Sequence, residues 1–179
     1  MEYTFFWETT SPFSQWHPST FRDSTGVNFN TAEQYMMFHK AMLFRDFANS
    51  QRILRAKHPR EQKDIGRQVI GFDSSVWEQR REQIVYQGNK LKFVQNPALL
   101  SKLLETAGTD LVEASPDDCI WGIGWRAADP QAQDPAQWRG LNLLGKVLTQ
   151  LREDIFLYSL QGDRGWLNSI NADLTPKLY

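Results

Sequence analysis

Glu33 and Lys40 lie seven residues apart in the segment Ala32-Glu33-Gln34-Tyr35-Met36-Met37-Phe38-His39-Lys40. That spacing is nearly two turns of helix, so a helical register puts carboxylate and cation on one face beside Met36 and Met37. A carboxylate and a cation on a partly apolar face suit acid/base work with a lysine that steers an anion. The same residues have an architectural use. Asn30 can cap the helix with Glu33 returning to the cap residue's N–H, and Lys40 can end the stripe in solvent. Spacing alone leaves both uses open.

Three further segments carry polar chemistry. In 111–124 an extended run delivers Glu113, Ser115 and Asp118, then Trp121 beside Gly122 and Gly124. Glycines let backbone approach a ligand closely, and amides near a turn suit phosphate. A strand end followed by an Asx-turn accounts for Glu113 and Asp118 equally well. In 138–146, Arg139, Asn142 and the first helical amides form an anion or ribose contact, or else Asn142 caps the helix and Gly145 admits a close neighbour. Gly88-Asn89-Lys90-Leu91-Lys92-Phe93 reads as a helix end with exposed amides and lysines. There is no Rossmann fingerprint, Walker A sequence or G-x-S-x-G elbow. His17, His39 and His58 lack metal-ligand pairing, so no metal is expected. The single cysteine, Cys119, is expected to be a small buried hydrophobe and not a nucleophile.

The elements that must position these groups are mostly helices. Residues 3–7 and 27–30 read as short strands. Helices are expected from Asn30 to about Leu43, Asp46 through Arg55, Pro59 to about Val69, Asp73 or Ser74 through about Phe93, and Pro97 through Leu104. Residues 110–125 read as extended, 126–137 as a surface loop, and a last long helix begins near Gly140 or Asn142.

Composition narrows the function classes. With 20 Lys and Arg against 21 Asp and Glu the chain carries −1, which argues against binding nucleic acid by bulk charge. The balance hides a basic middle: eleven Lys and Arg against six Asp and Glu from Arg45 to Lys92 give +5, leaving −6 elsewhere. A phosphate-bearing ligand or a set of solvated helix faces explains that segment. One cysteine excludes an internal disulfide and suits a reducing compartment; with no signal-like start and no apolar span, a cytoplasmic protein off the membrane is expected. Seven Trp, eleven Phe and five Tyr are enough either for a large core or for a site that stacks flat rings.

Taken in order, SPFSQWHPSTF, FNTAEQYMMFHKAMLF, GRQVIGF with the following Trp and Arg, GNKLKFVQNP, LVEASPDDCIWGIG and WRGLNLLGKVL resemble the YbiA-like or NADAR family over about residues 5 to 152. The resemblance implies an α+β, helix-rich single domain with a small β-sheet, here residues 1–155, followed by a C-terminal extension, 156–179. It implies an N-glycosidase acting on phosphoribosylamino-pyrimidines of the riboflavin route and releasing ribose 5-phosphate. The alternatives are removal of ADP-ribose from guanine in nucleic acid and a non-catalytic ADP-ribose module. The partner is then a phosphoribosyl or ADP-ribosyl small molecule, or ADP-ribosylated nucleic acid. The matching motifs nominate Glu33, Glu113 and Asp118 as catalytic, and Lys40, Trp77, Asn89, Ser115, Trp121, Arg139 and Asn142 as substrate-binding. Cleaving a ribosyl C–N bond requires a carboxylate, a donor to the departing nitrogen and a placed water, and no cofactor.

Overall fold

Thr31, not Asn30, starts the first helix of the computed structural model, which describes residues 2–160 and Gly162. The Thr31 hydroxyl accepts the Gln34 N–H at 3.0 Å, and the Gln34 amide oxygen reaches back to the Asn30 N–H at 2.8 Å. The reciprocal cap therefore uses Gln34, one position later than expected, and leaves the Glu33 carboxylate out of it.

The elements run β1 (Tyr3–Phe6), β2 (Phe21–Arg22), β3 (Asn28–Phe29), α1 (Ala32–Leu43), α2 (Phe47–Arg55), α3 (Pro59–Gly66), α4 (Ser74–Gln95), α5 (Pro97–Leu104), β4 (Asp110–Glu113), two 3-10 turns (Pro130–Gln133 and Pro135–Gln137) and α6 (Leu143–Leu160). The helix-rich α+β expectation holds, with two two-stranded sheets in place of one. The expected extension, 156–179, begins inside α6; residues 161 and 163–179 lie outside the described residues. No helix among the described residues is long and apolar enough to cross a membrane. The chain forms two compact units, one from residues 2–17 with 97–160 and Gly162, the other from 18–96.

In the second unit α1 is central, buried from Ala32 to His39 and packed against α2, α3 and α4. Gly88 on α4 makes room for the Tyr35 ring, which a Cβ there would strike. Phe21 and Phe29, paired across antiparallel β2 and β3, stack at 5.6 Å, and Phe29 meets Tyr35 edge-on at 5.0 Å. The segment 88–93 is thus no exposed helix end. It lies inside α4, where Gly88, Asn89, Lys90, Leu91, Lys92 and Phe93 are all buried. Asp46 caps α2 through the Asn49 N–H and also accepts the Ile70 N–H, tying down the chain after α3.

Lys92 is fully buried, and loss of hydration alone pulls its ammonium down to about 7 from 10.5. Between those values the unfolded chain holds the proton and the folded chain does not, so stability rises with pH across that window. Urea unfolding should show a higher midpoint at pH 9 than at pH 7, and Lys92→Met should flatten the difference. Equal wild-type midpoints would contradict the burial.

In the first unit β1 and β4 pair in parallel with Tyr3 opposite Asp110 and Phe6 opposite Glu113. α6 lies on β4 through Leu144, Leu148 and Leu151, which alternate with polar residues at helical spacing and are fully buried. Val112, Ala114, Ile123 and Ala132 form a core that Tyr3, Phe5, Trp125 and Trp138 cover. Both indoles are satisfied by backbone: Trp125 donates to the Gln137 carbonyl and Trp138 to that of Ala132. The extended conformation expected for 110–125 stops at Glu113, because the chain turns and folds back until the Ile123 N–H reaches the Glu113 carbonyl. Cys119 stands on this loop, exposed and not buried as expected.

Candidate functional site

α1 places Glu33 in its first turn and Lys40 in its last, and both side chains reach the same neighbourhood. Glu33 is only 3% exposed although it plays no part in the cap, and it acts electrostatically on Lys40. A carboxylate is favoured in the first turn by the helix dipole. The Lys40 ammonium donates to the Gly66 carbonyl at 2.9 Å, which fixes it at the end of α3. It lies 4.5 Å from the centre of the Phe72 ring and 5.7 Å from that of Trp77, so two aromatic faces wall the cation. Burial lowers the Lys40 pKa most, Glu33 opposes the shift, and Arg67 adds to it. Gly66 packs against Met37, whose side chain a Cβ there would displace.

Glu33 and Lys40 thus act on one neighbourhood as their spacing suggested, with Trp77 beside Lys40; Met37 packs at Gly66, and Met36 is buried. Phe72 was not singled out by sequence reasoning. Its only signal was membership of the GRQVIGF segment, where an exposed phenylalanine before Asp73 carries no periodicity. Asn89 is fully buried in α4, and its amide nitrogen donates to the Val85 carbonyl at 2.9 Å.

The remaining nominated residues assemble in the first unit around the loop after β4. The Asp118 carboxylate accepts the N–H groups of Ile120 and Trp121, each at 2.8 Å, the Asx-turn that spacing allowed. Asn142 has φ of 52° and a buried side chain. Its oxygen accepts the Glu113 N–H at 3.0 Å and its nitrogen donates to the Leu111 carbonyl at 3.1 Å, clamping β4 to the start of α6. Gly145 lets that clamp close, because a Cβ would overlap the Leu111 carbonyl and the Asn142 amide. Arg139 stacks its guanidinium on Trp125 with 3.6 Å to the ring centre. Ser115 is buried, and Glu113 and Trp121 are half-buried. Glu113, Ser115 and Asp118 close around Gly122, where a Cβ would crowd the Glu113 and Asp118 carbonyls and the Ser115 side chain, and the Asp118 turn holds Trp121 next to them.

Chemically, the α1 face offers a carboxylate, an amine with weakened basicity and flat rings that can stack a heteroaromatic base. The β4 loop offers further carboxylates and an aromatic side chain. A carboxylate, a basic group and a stacking ring on one face, as on α1, are groups that cleavage of a ribosyl C–N bond uses.

The family model for the NADAR domain matches residues 5–156, spanning both units. "N-glycosidase R617" of Acanthamoeba polyphaga mimivirus is 43% identical over 146 residues, 79% of this chain and 86% of that protein. "Riboflavin biosynthesis protein PYRR, chloroplastic" of Zea mays is 36% identical over 162 residues, 83% of this chain but 24% of that longer protein. "N-glycosidase YbiA" of Escherichia coli K12 is 30% identical over 130 residues, 73% of this chain and 72% of its own. The NMR structure of E. coli YbiA superposes with a TM-score of 0.73 at 27% identity, covering 89% of this chain and 88% of that one. Relatives of this chain are thus N-glycosidases, hydrolases of N-glycosyl bonds, and the chain itself belongs to the NADAR family.

Proposed function

We propose that the protein is a cytoplasmic N-glycosidase that hydrolyses the N-glycosidic bond of a phosphoribosylamino-pyrimidine, releasing ribose 5-phosphate and the aminopyrimidine. The observation that carries this reading is the α1 face, where buried Glu33 acts on half-buried Lys40 and the Lys40 ammonium stands beside Phe72 and Trp77. The N-glycosidase relatives support the bond type, and the maize relative named for riboflavin biosynthesis supports the substrate class.

On the α1 face the pyrimidine stacks on Trp77, Glu33 serves the proton transfer to the departing nitrogen or from the attacking water, and Lys40 neutralises the phosphate. On the β4 loop and the start of α6, Glu113 and Asp118 are the further catalytic candidates and Ser115, Trp121, Arg139 and Asn142 the further substrate-binding ones, with Asn89 in α4. Incubating pure protein separately with a phosphoribosylamino-pyrimidine and with an oligonucleotide carrying ADP-ribosylated guanine tests the substrate by mass spectrometry. Ribose 5-phosphate is the expected product; ADP-ribose alone would move the reading to the nucleic-acid substrate.

The desolvation of Lys40 favours a second assignment for that residue. An amine whose pKa is lowered by burial has a larger neutral fraction and can act as a nucleophile. In this variant the neutral amine adds to C1′ of the ring-opened ribosyl imine and the C1′–N bond breaks. Glu33 protonates the leaving aminopyrimidine, and a lysine imine remains. Water then hydrolyses that imine, freeing ribose 5-phosphate, restoring the amine and returning the proton to Glu33. Lys40→Arg separates the two roles. If Lys40 only neutralises phosphate, arginine preserves kcat with a modest change in KM. If it is the nucleophile, kcat collapses by about 10²-fold or more, and borohydride added during wild-type turnover traps a ribose 5-phosphate adduct on Lys40.

A further inference from the structure

The helices α2 and α3 enclose an open groove of about 860 Å³ that shares no lining residue with the α1 face. Arg52, Arg55 and Arg60 line it with His58, while Glu61 and Asp64 stand on the α3 side. Its volume falls in the range of about 300–1,000 Å³ that small ligands occupy. Around it the chain from Arg52 to Arg67 carries six Lys and Arg against those two carboxylates, so most of the central basic excess gathers here.

One arginine is held in place before any ligand arrives. The Arg52 guanidinium donates from one nitrogen to the Asn49 side-chain oxygen at 2.7 Å and to the Gln68 side-chain oxygen at 3.2 Å. Asn49 is itself anchored, donating to the Asp46 carboxylate at 2.7 Å and to the Gln68 carbonyl at 3.2 Å. A fixed guanidinium fork loses less freedom on meeting a phosphate than a free one. Arg55 lies one turn further on the same face of α2. His58 makes no side-chain cap at the start of α3, and Glu61 stands in that helix's first turn. Of the two carboxylates, Asp64 meets Arg67 at 3.4 Å in an exposed pair. Carboxylates beside arginines suit a ligand with hydroxyls to donate as well as phosphates to accept, and Ile65 gives the lining an apolar element.

We propose that this groove is a second ligand site, taking a nucleotide with two or more phosphates. The phosphates meet the three arginines, and the ribose hydroxyls meet Glu61 or Asp64. A phosphate takes one or two bidentate guanidinium partners, so three arginines leave donors for a second phosphate.

Fluorescence anisotropy with a labelled ADP, competed by ADP, pyrophosphate, AMP and adenosine, tests it on the full chain. Saturable binding is expected, with ADP competing best, AMP weakly and adenosine not at all. Arg60→Gln, at an exposed position, and Arg52→Gln should each weaken ADP by about tenfold or more, while Lys40→Gln leaves it unchanged. Thermal melting confirms that each variant is folded. Binding lost in Lys40→Gln but kept in the arginine variants would overturn the proposal by placing the ligand at the α1 face. So would no saturation at millimolar ADP, or affinity confined to oligonucleotides and growing with their length.

Discussion

Glu33→Gln should lower kcat by about 10²–10⁴-fold, the range that a positioned acid/base group supplies, with KM changed much less and melting within a few degrees of wild type. The substitution keeps the shape of a side chain that is 3% exposed, so it opens no cavity. It does not disturb the helix start either, since Thr31 and Gln34 make the cap without Glu33. What it removes is the charge and the proton-transfer capacity. It also removes the one influence that raises the Lys40 pKa, so the amine's titration should move further down in the variant. Hydrolysis near the wild-type rate in a folded Glu33→Gln protein would reduce the α1 face to architecture.

Gly145→Ala should destabilise the protein by about 3 kcal/mol, the upper part of the usual cost of overpacking, and lower Tm by roughly 6–12 °C for a chain of this size. Helix propensity alone predicts the opposite sign, because alanine in place of glycine favours a helix by about 1 kcal/mol. The contact decides. A Cβ at 145 would overlap the Leu111 carbonyl, a backbone atom in β4 that cannot rotate away, and the Asn142 amide that clamps β4 to α6. Because Glu113 is held through the same amide, activity should fall alongside stability. A variant as stable as wild type, measured by calorimetry, would show that α6 and β4 have room to separate.

Helices were legible wherever a side chain punctuates the chain. Asp46 and Asp73 cap α2 and α4 as read, and Pro97 opens α5. The close approach allowed by Gly145 was also visible as a possibility, and the structure supplies the backbone it meets. Legibility failed where packing overrode local preference. The passage of α4 through Gly88 and Asn89 was read, but the exposed amides expected there were not found, since Tyr35 fills the space beside Gly88 and Asn89 is buried. Lys90 and Lys92 counted toward a basic surface and are buried instead, while the arginines of α2 and α3 remain outside. The two-residue strand β2 is too short to show alternation, and the run after Glu113 looked extended because turn formation at Asp118 leaves no trace in apolar periodicity. The tryptophans divided accordingly. Trp77 faces Lys40, whereas Trp125 and Trp138 belong to the core of the first unit. The basic middle proved to be two things, a buried part within α4 and an exposed part around the α2–α3 groove.

The most direct test follows both products by mass spectrometry when wild type and Glu33→Gln are given the same phosphoribosylamino-pyrimidine in parallel. Stoichiometric ribose 5-phosphate and aminopyrimidine from wild type, with neither above background from the variant, is the predicted result. No C–N cleavage by wild type, or equal release by both proteins, would contradict the assignment of N-glycoside hydrolysis to the Glu33–Lys40 face.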